Sequence, residues 1–78
     1  METRLANLAT LQTIVRDKQA VRVRWPDSTR PALVDLFTAS AVLNAHTACN
    51  PDNQAKIERM ISHSRGRFLA VAKIAMGG

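Results

Sequence analysis

Apolar residues recur along this chain in two rhythms. Between Thr3 and Lys18 they fall at Leu5, Leu8, Leu11 and Val15, three and four apart. That spacing predicts an amphipathic helix over residues 1–19, with Thr3 available as its cap. The β-branched run Thr13, Ile14 and Val15 makes a strand over Leu11–Arg16 the competing reading. From Ala20 the rhythm changes to two. Val21, Val23 and Trp25 alternate with Arg22 and Arg24, which predicts a strand with an apolar side and an arginine side. Pro26-Asp-Ser-Thr-Arg-Pro31 is turn chemistry, and Ala32-Leu-Val-Asp-Leu36 reads as the returning strand of a hairpin over residues 20–36. Two strands alone are marginal in water, so the apolar side of the hairpin must rest on helices and leave Arg22 and Arg24 outside.

The central helix runs from Thr38, a good N-cap, to Cys49. Ala41, Val42, Ala45 and Cys49 would share one face of small side chains. Asn50 ends this helix and caps the next, with Pro51 at the first helical position, where its missing N–H costs nothing. In the following helix Asp52 suits the positive end of the dipole, and Ile57, Met60 and Ile61 form the apolar stripe, with Lys56, Glu58 and Arg59 turned away. Ser62-His-Ser-Arg-Gly-Arg67 is the break, with Ser62 or Ser64 as cap. Phe68 to Met76 closes the chain as a helix, and Gly77-Gly78 frays it. Phe68, Val71, Ala72 and Ala75 form its core face, yet Leu69, Ile74 and Met76 lie elsewhere around it. A helix apolar all round is buried on several sides, so the cover must come from the N-terminal helix or from a second chain. The predicted fold is α+β: an N-terminal helix, a β-hairpin, then three short helices over residues 38–76.

A chain of 78 residues makes one domain, and one so short buries only ~60% of the surface that its unfolded form exposes. Its single cysteine, Cys49, has no internal partner and is expected to act as a small apolar residue in a reducing compartment. There is no apolar run of the ~20 residues that span a bilayer, and the first residues do not read as a signal peptide, so a cytoplasmic location is expected.

The net charge of +5 is concentrated in two stretches. One holds Arg16, Lys18, Arg22, Arg24 and Arg30 against Asp17 and Asp27. The other holds Lys56, Arg59, Arg65, Arg67 and Lys73 against Glu58. Arginine outnumbers lysine, and its planar fork suits carboxylates and phosphates. The candidate binding surface is therefore Arg22, Arg24, Arg30, Arg59, Arg65 and Arg67. Leu69, Ile74 and Met76 are the candidates for self-association into a homodimer.

Other chemistry is thin. His46 and Cys49 stand three apart with His63 further on, whereas zinc needs three or four such ligands in tetrahedral reach. No metal or cofactor is expected, and His63 reads as a loop residue. Ser40, Ser62 and Ser64 have no base at a telling spacing, and no glycine-rich phosphate loop is present, so an enzyme is not expected. The last two helices suggest a helix-turn-helix, but a recognition helix must present polar side chains to base edges, and this one presents Leu69, Lys73 and Met76. Arg65 and Arg67 at its start could hold phosphate with the help of the helix N-terminus.

The run of strand, turn and strand, then Asp35-Leu-Phe-Thr-Ala-Ser-Ala41, then Asn50-Pro-Asp-Asn-Gln-Ala-Lys56 and a short apolar closing helix, resembles small accessory proteins encoded by tailed phages. The likeness covers about residues 20–76 and is one of layout, so no functional residue is carried over from it. It implies a host-takeover protein that binds and blocks a bacterial machine, such as a CRISPR effector complex or RNA polymerase. The basic charge departs from the acidic, DNA-mimicking style of many such inhibitors and favours occlusion by surface docking. Three expectations result: a non-enzymatic protein that docks its arginines on a host protein or ribonucleoprotein complex, a small regulator that sets the same arginines on nucleic-acid phosphates, or a purely structural oligomer held by the last helix.

Overall fold

Val23 lies at the centre of a three-stranded sheet in the computed structural model, which describes residues 3–77. Its strand, β2 (Val21–Arg24), is flanked by β1 (Thr3–Leu5) and β3 (Ala32–Val34). β1 runs parallel to β2, and β3 runs antiparallel to it across the predicted turn. α1 (Leu8–Asp17) is the crossover between β1 and β2, and α2 (Leu36–Ala48), α3 (Pro51–His63) and α4 (Arg65–Ala75) follow β3. α1 packs on α2, and α4 packs on both α2 and α3. The buried residues Leu11, Ile14, Val23, Val42, Ile61 and Phe68 draw this core from four helices and the sheet.

The first strand replaces the start of the predicted N-terminal helix. Thr3 does not cap α1; Asn7 does, its side chain accepting a hydrogen bond from the Thr10 backbone N–H at 2.8 Å. Leu5 leaves the helical stripe for an exposed strand position, while Leu11 and Ile14 carry the buried face of α1. Two contacts fasten β1 to α1 and to β2. The Thr10 hydroxyl donates to the Leu5 carbonyl at 2.7 Å, and the Ala6 N–H donates to the Arg24 carbonyl at 3.0 Å. The strand reading of Leu11–Arg16 fails, because those residues lie inside α1. α1 ends at Lys18, whose φ of 54° is left-handed.

The alternation in β2 is as expected, with Val23 and Trp25 buried and Arg22 and Arg24 exposed. α2, however, begins earlier than predicted. Asp35 is its N-cap, accepting from the Thr38 N–H at 2.8 Å, so Thr38 stands in the first turn. The face of α2 turned to the core is correspondingly different: Ala39 and Val42 are buried, Ala41 and Ala45 are only half-buried, and Cys49 lies past the end as the C-cap. Asn50 caps α3 with Pro51 at its first position, as the sequence indicates. His63 is the last residue of α3 and not part of a loop. Ser64 caps α4 by accepting from the Arg67 N–H at 3.1 Å. Gly77, at φ +80°, stops α4, a conformation that glycine adopts without a side-chain penalty. Gly78 lies outside the described residues.

Candidate binding surfaces

The solvent side of the sheet gathers side chains from all three strands. Register places Thr3 beside Arg22 and Arg22 beside Leu33, with Leu5 beside Arg24 in the next row. Because partners in register project to the same side, Arg22 and Arg24 stand between Leu5 and Leu33. All four are exposed, each leucine by 63%. Among the described residues neither arginine has an ion-pair partner. The two leucines were not among the predicted site residues. Leu33 was legible as an outward position of the returning strand, whereas Leu5 needed β1, which the sequence pattern hid.

A second surface lies between α3 and α4. It is an open groove lined by Lys56, Arg59, Met60, His63 and Arg67. Lys56, Arg59 and His63 recur three and four apart and so share one face of α3. Arg67 closes the groove from the first turn of α4. The structure thus brings Arg59 and Arg67 together and adds Lys56 and His63. Glu58, the acid nearest in sequence, is engaged elsewhere: its Oε2 lies 2.8 Å from Nε2 of the half-buried His46 on α2.

The remaining predicted arginines stand apart. Arg30 is exposed in the turn, where its N–H donates to the Ser28 hydroxyl oxygen at 3.3 Å. Arg65 opens α4, and its backbone N–H donates to the Asp27 carboxylate at 3.3 Å. Asp27 therefore already satisfies that N-terminal amide, and Ser64 takes the one at Arg67. The suggestion that the N-terminus of the last helix helps Arg65 and Arg67 to hold phosphate is accordingly revised. The anion at that helix end is the chain's own Asp27.

The closing helix keeps large apolar side chains in water. Leu69, Ile74 and Met76 are 52%, 75% and 43% exposed, so the N-terminal helix does not supply their cover. They are also not one patch. Leu69 and Met76 line one shallow depression with Thr38, while Ile74 falls two turns after Arg67, on another side of α4. Adjoining depressions extend the first pair, from Leu33 past Thr38 to Leu69, and from Met76 to Phe37, which is 72% exposed. These depressions link Leu33, Leu69, Met76 and Phe37 into a band over β3, α4 and α2, with Asp35, Thr38, Arg65 and Lys73 set among them.

Among the described residues no group of three or more His, Cys, Asp or Glu side chains could hold a metal ion, and no helix is long and apolar enough to cross a membrane. Comparison with protein-family models, curated proteins and solved structures finds no match to the chain.

Proposed function

We propose that this chain is a non-enzymatic binding protein whose sheet face docks on an acidic protein surface. The observation that carries the reading is the placement of Arg22 and Arg24 between the exposed Leu5 and Leu33. Arginine with apolar side chains suits the buried centre of a protein interface, whereas a purely phosphate-facing surface has no use for the leucines. The resemblance to tailed-phage accessory proteins directs the choice of target: a bacterial nucleic-acid-handling complex, CRISPR effector or RNA polymerase, bound and blocked in the host cytoplasm.

Capture from a nuclease-treated bacterial lysate tests this. The wild-type chain should retain such a complex, and Arg22→Glu/Arg24→Glu should lose it, chiefly through slower association. The variant should still fold, since exposed substitutions change stability by less than about 0.5 kcal/mol. Equal capture by both proteins, or capture abolished by nuclease, would overturn the reading.

The band formed by Leu33, Leu69, Met76 and Phe37 supports a second proposal, that two copies of the chain associate through it. The charged groups along it are Asp35, Arg65 and Lys73, one acid against two cations, so little of the chain's net charge of +5 opposes approach across this face.

A further inference from the structure

We infer that the α3–α4 groove is a separate site for the phosphate backbone of duplex nucleic acid. This goes beyond docking by the sheet face and uses different side chains. Four nitrogen-bearing side chains, Lys56, Arg59, His63 and Arg67, line one open groove with Met60. Three are permanent cations at neutral pH, and among the described residues none has an ion-pair partner. Such a concentration of one sign in a concave surface selects a polyanion.

The spacing narrows the ligand. Lys56 and His63 are seven residues apart on α3, about 10 Å along its axis at ~1.5 Å per residue. The stripe is long enough to meet more than one phosphate of a strand, and the three permanent cations of the groove, Lys56, Arg59 and Arg67, can neutralise about three. Arg67 reaches the same row from α4. The groove holds no Phe, Tyr or Trp, and the lone imidazole of His63 is no platform for successive bases; Trp25 and Phe68 are buried in the core. Single strands are held by bases stacked on aromatic rings, so the groove suits a duplex, whose bases stay stacked. It offers no amide or carboxylate side chain for adenine or cytosine edges, and with its cations engaged on phosphates, which carry no sequence information, binding should be indifferent to sequence.

Binding of a labelled random-sequence duplex of about 20 base pairs, followed by fluorescence anisotropy on the isolated protein, tests the inference. Three neutralised phosphates give a log–log salt slope of about −2.7, or roughly a 40-fold loss of affinity from ~50 to ~200 mM salt. Arg59→Ala/Arg67→Ala should bring the slope to about −1. Arg4→Ala/Arg16→Ala removes two charges elsewhere and should leave the slope near the wild-type value. All five positions involved in these variants and in Lys56→Glu are exposed, and circular dichroism checks each fold. Lys56→Glu provides a second groove variant should the double one fail to fold, and it should also weaken binding. Absent duplex binding at ~50 mM salt would overturn the site, as would equal slopes for the two double variants. Tighter binding to the single strand, or to a poly-glutamate peptide, would overturn it as well. The assay needs no protein partner, so its failure is distinct from failure of sheet-face docking.

Discussion

The indole N–H of Trp25 donates to the backbone carbonyl of Ile61 at 2.9 Å, and both side chains are buried. Ile61 lies in the last turn of α3, where carbonyls lack a partner within their own helix. Trp25 supplies that partner from the end of β2, and its ring packs against Phe68 of α4, centroid to centroid 5.2 Å. Two residues on, Asp27 accepts from the first N–H of α4. One short segment thus satisfies both helix ends at the α3–α4 corner, and this corner brings Arg67 to the stripe on α3.

Trp25→Phe should therefore destabilise the protein by more than lost contact area suggests. Much of the ring packing survives, but the Ile61 carbonyl stays buried without its donor, which costs about 1–3 kcal/mol. In a domain of this size each 1 kcal/mol lowers the melting temperature by roughly 4–8 °C. Thermal unfolding measures it, and a drop below ~2 °C would show that the hydrogen bond contributes little.

The cap of α2 predicts a pH dependence. The Thr38 backbone N–H, and then its side chain, hold Asp35 below its ordinary carboxylate value. A depressed folded-state pKa contributes stability that is present above the unfolded value of ~3.9 and lost as pH falls through the folded one. Asparagine caps equally well without titrating. Asp35→Asn should match the wild type near pH 7 and lose less stability as pH falls below the ordinary carboxylate range. Asp35→Ala should cost ~1 kcal/mol at neutral pH. Urea unfolding at several pH values separates these outcomes, and parallel acid limbs for wild type and Asp35→Asn would contradict the assignment.

What could be read in the sequence was the structure carried by local signals. The two-residue alternation of Val21, Val23 and Trp25 and the Asn50-Pro51 start of α3 needed no knowledge of distant contacts. β1 was hidden because three exposed residues have no periodicity, and its pairing with β2 spans the whole of α1. Leu5 lies at a helical spacing from Leu8 by coincidence, and Asn7, the better cap, lies between them. The start of α2 was misplaced because Asp35 and Thr38 are both capping residues, and only the packing of Ala39 and Val42 decides between them. The groove was half legible. The spacing of Lys56, Arg59 and His63 is in the sequence, but the approach of Arg67 depends on the corner held by Trp25.

Lys18 offers a stabilising change. A non-glycine residue in the left-handed region costs about 1–2 kcal/mol, while glycine's extra freedom in the unfolded chain costs about 0.4–1 kcal/mol. The first term is the larger, so Lys18→Gly should gain up to ~1 kcal/mol. A lower urea midpoint for the variant would reverse that ordering.

The apolar band sets the last prediction. Leu33, Phe37, Leu69 and Met76 are 63%, 72%, 52% and 43% exposed. Full burial of one such side chain contributes about 1.5–3 kcal/mol, so partial further burial of four in each of two copies reaches the same range as the cost of association, about 4–15 kcal/mol. A two-fold arrangement uses the band twice and leaves no apolar face open to further copies. Sedimentation from ~1 µM to ~1 mM should show a monomer giving way to a dimer as concentration rises. Leu69→Lys, at the middle of the band, should move that transition to higher concentration by tenfold or more, whereas Ile74→Lys, outside it, should have little effect. A monomer at every concentration would remove self-association from the reading. A dimer weakened by Ile74→Lys and untouched by Leu69→Lys would place the contact on the other side of α4.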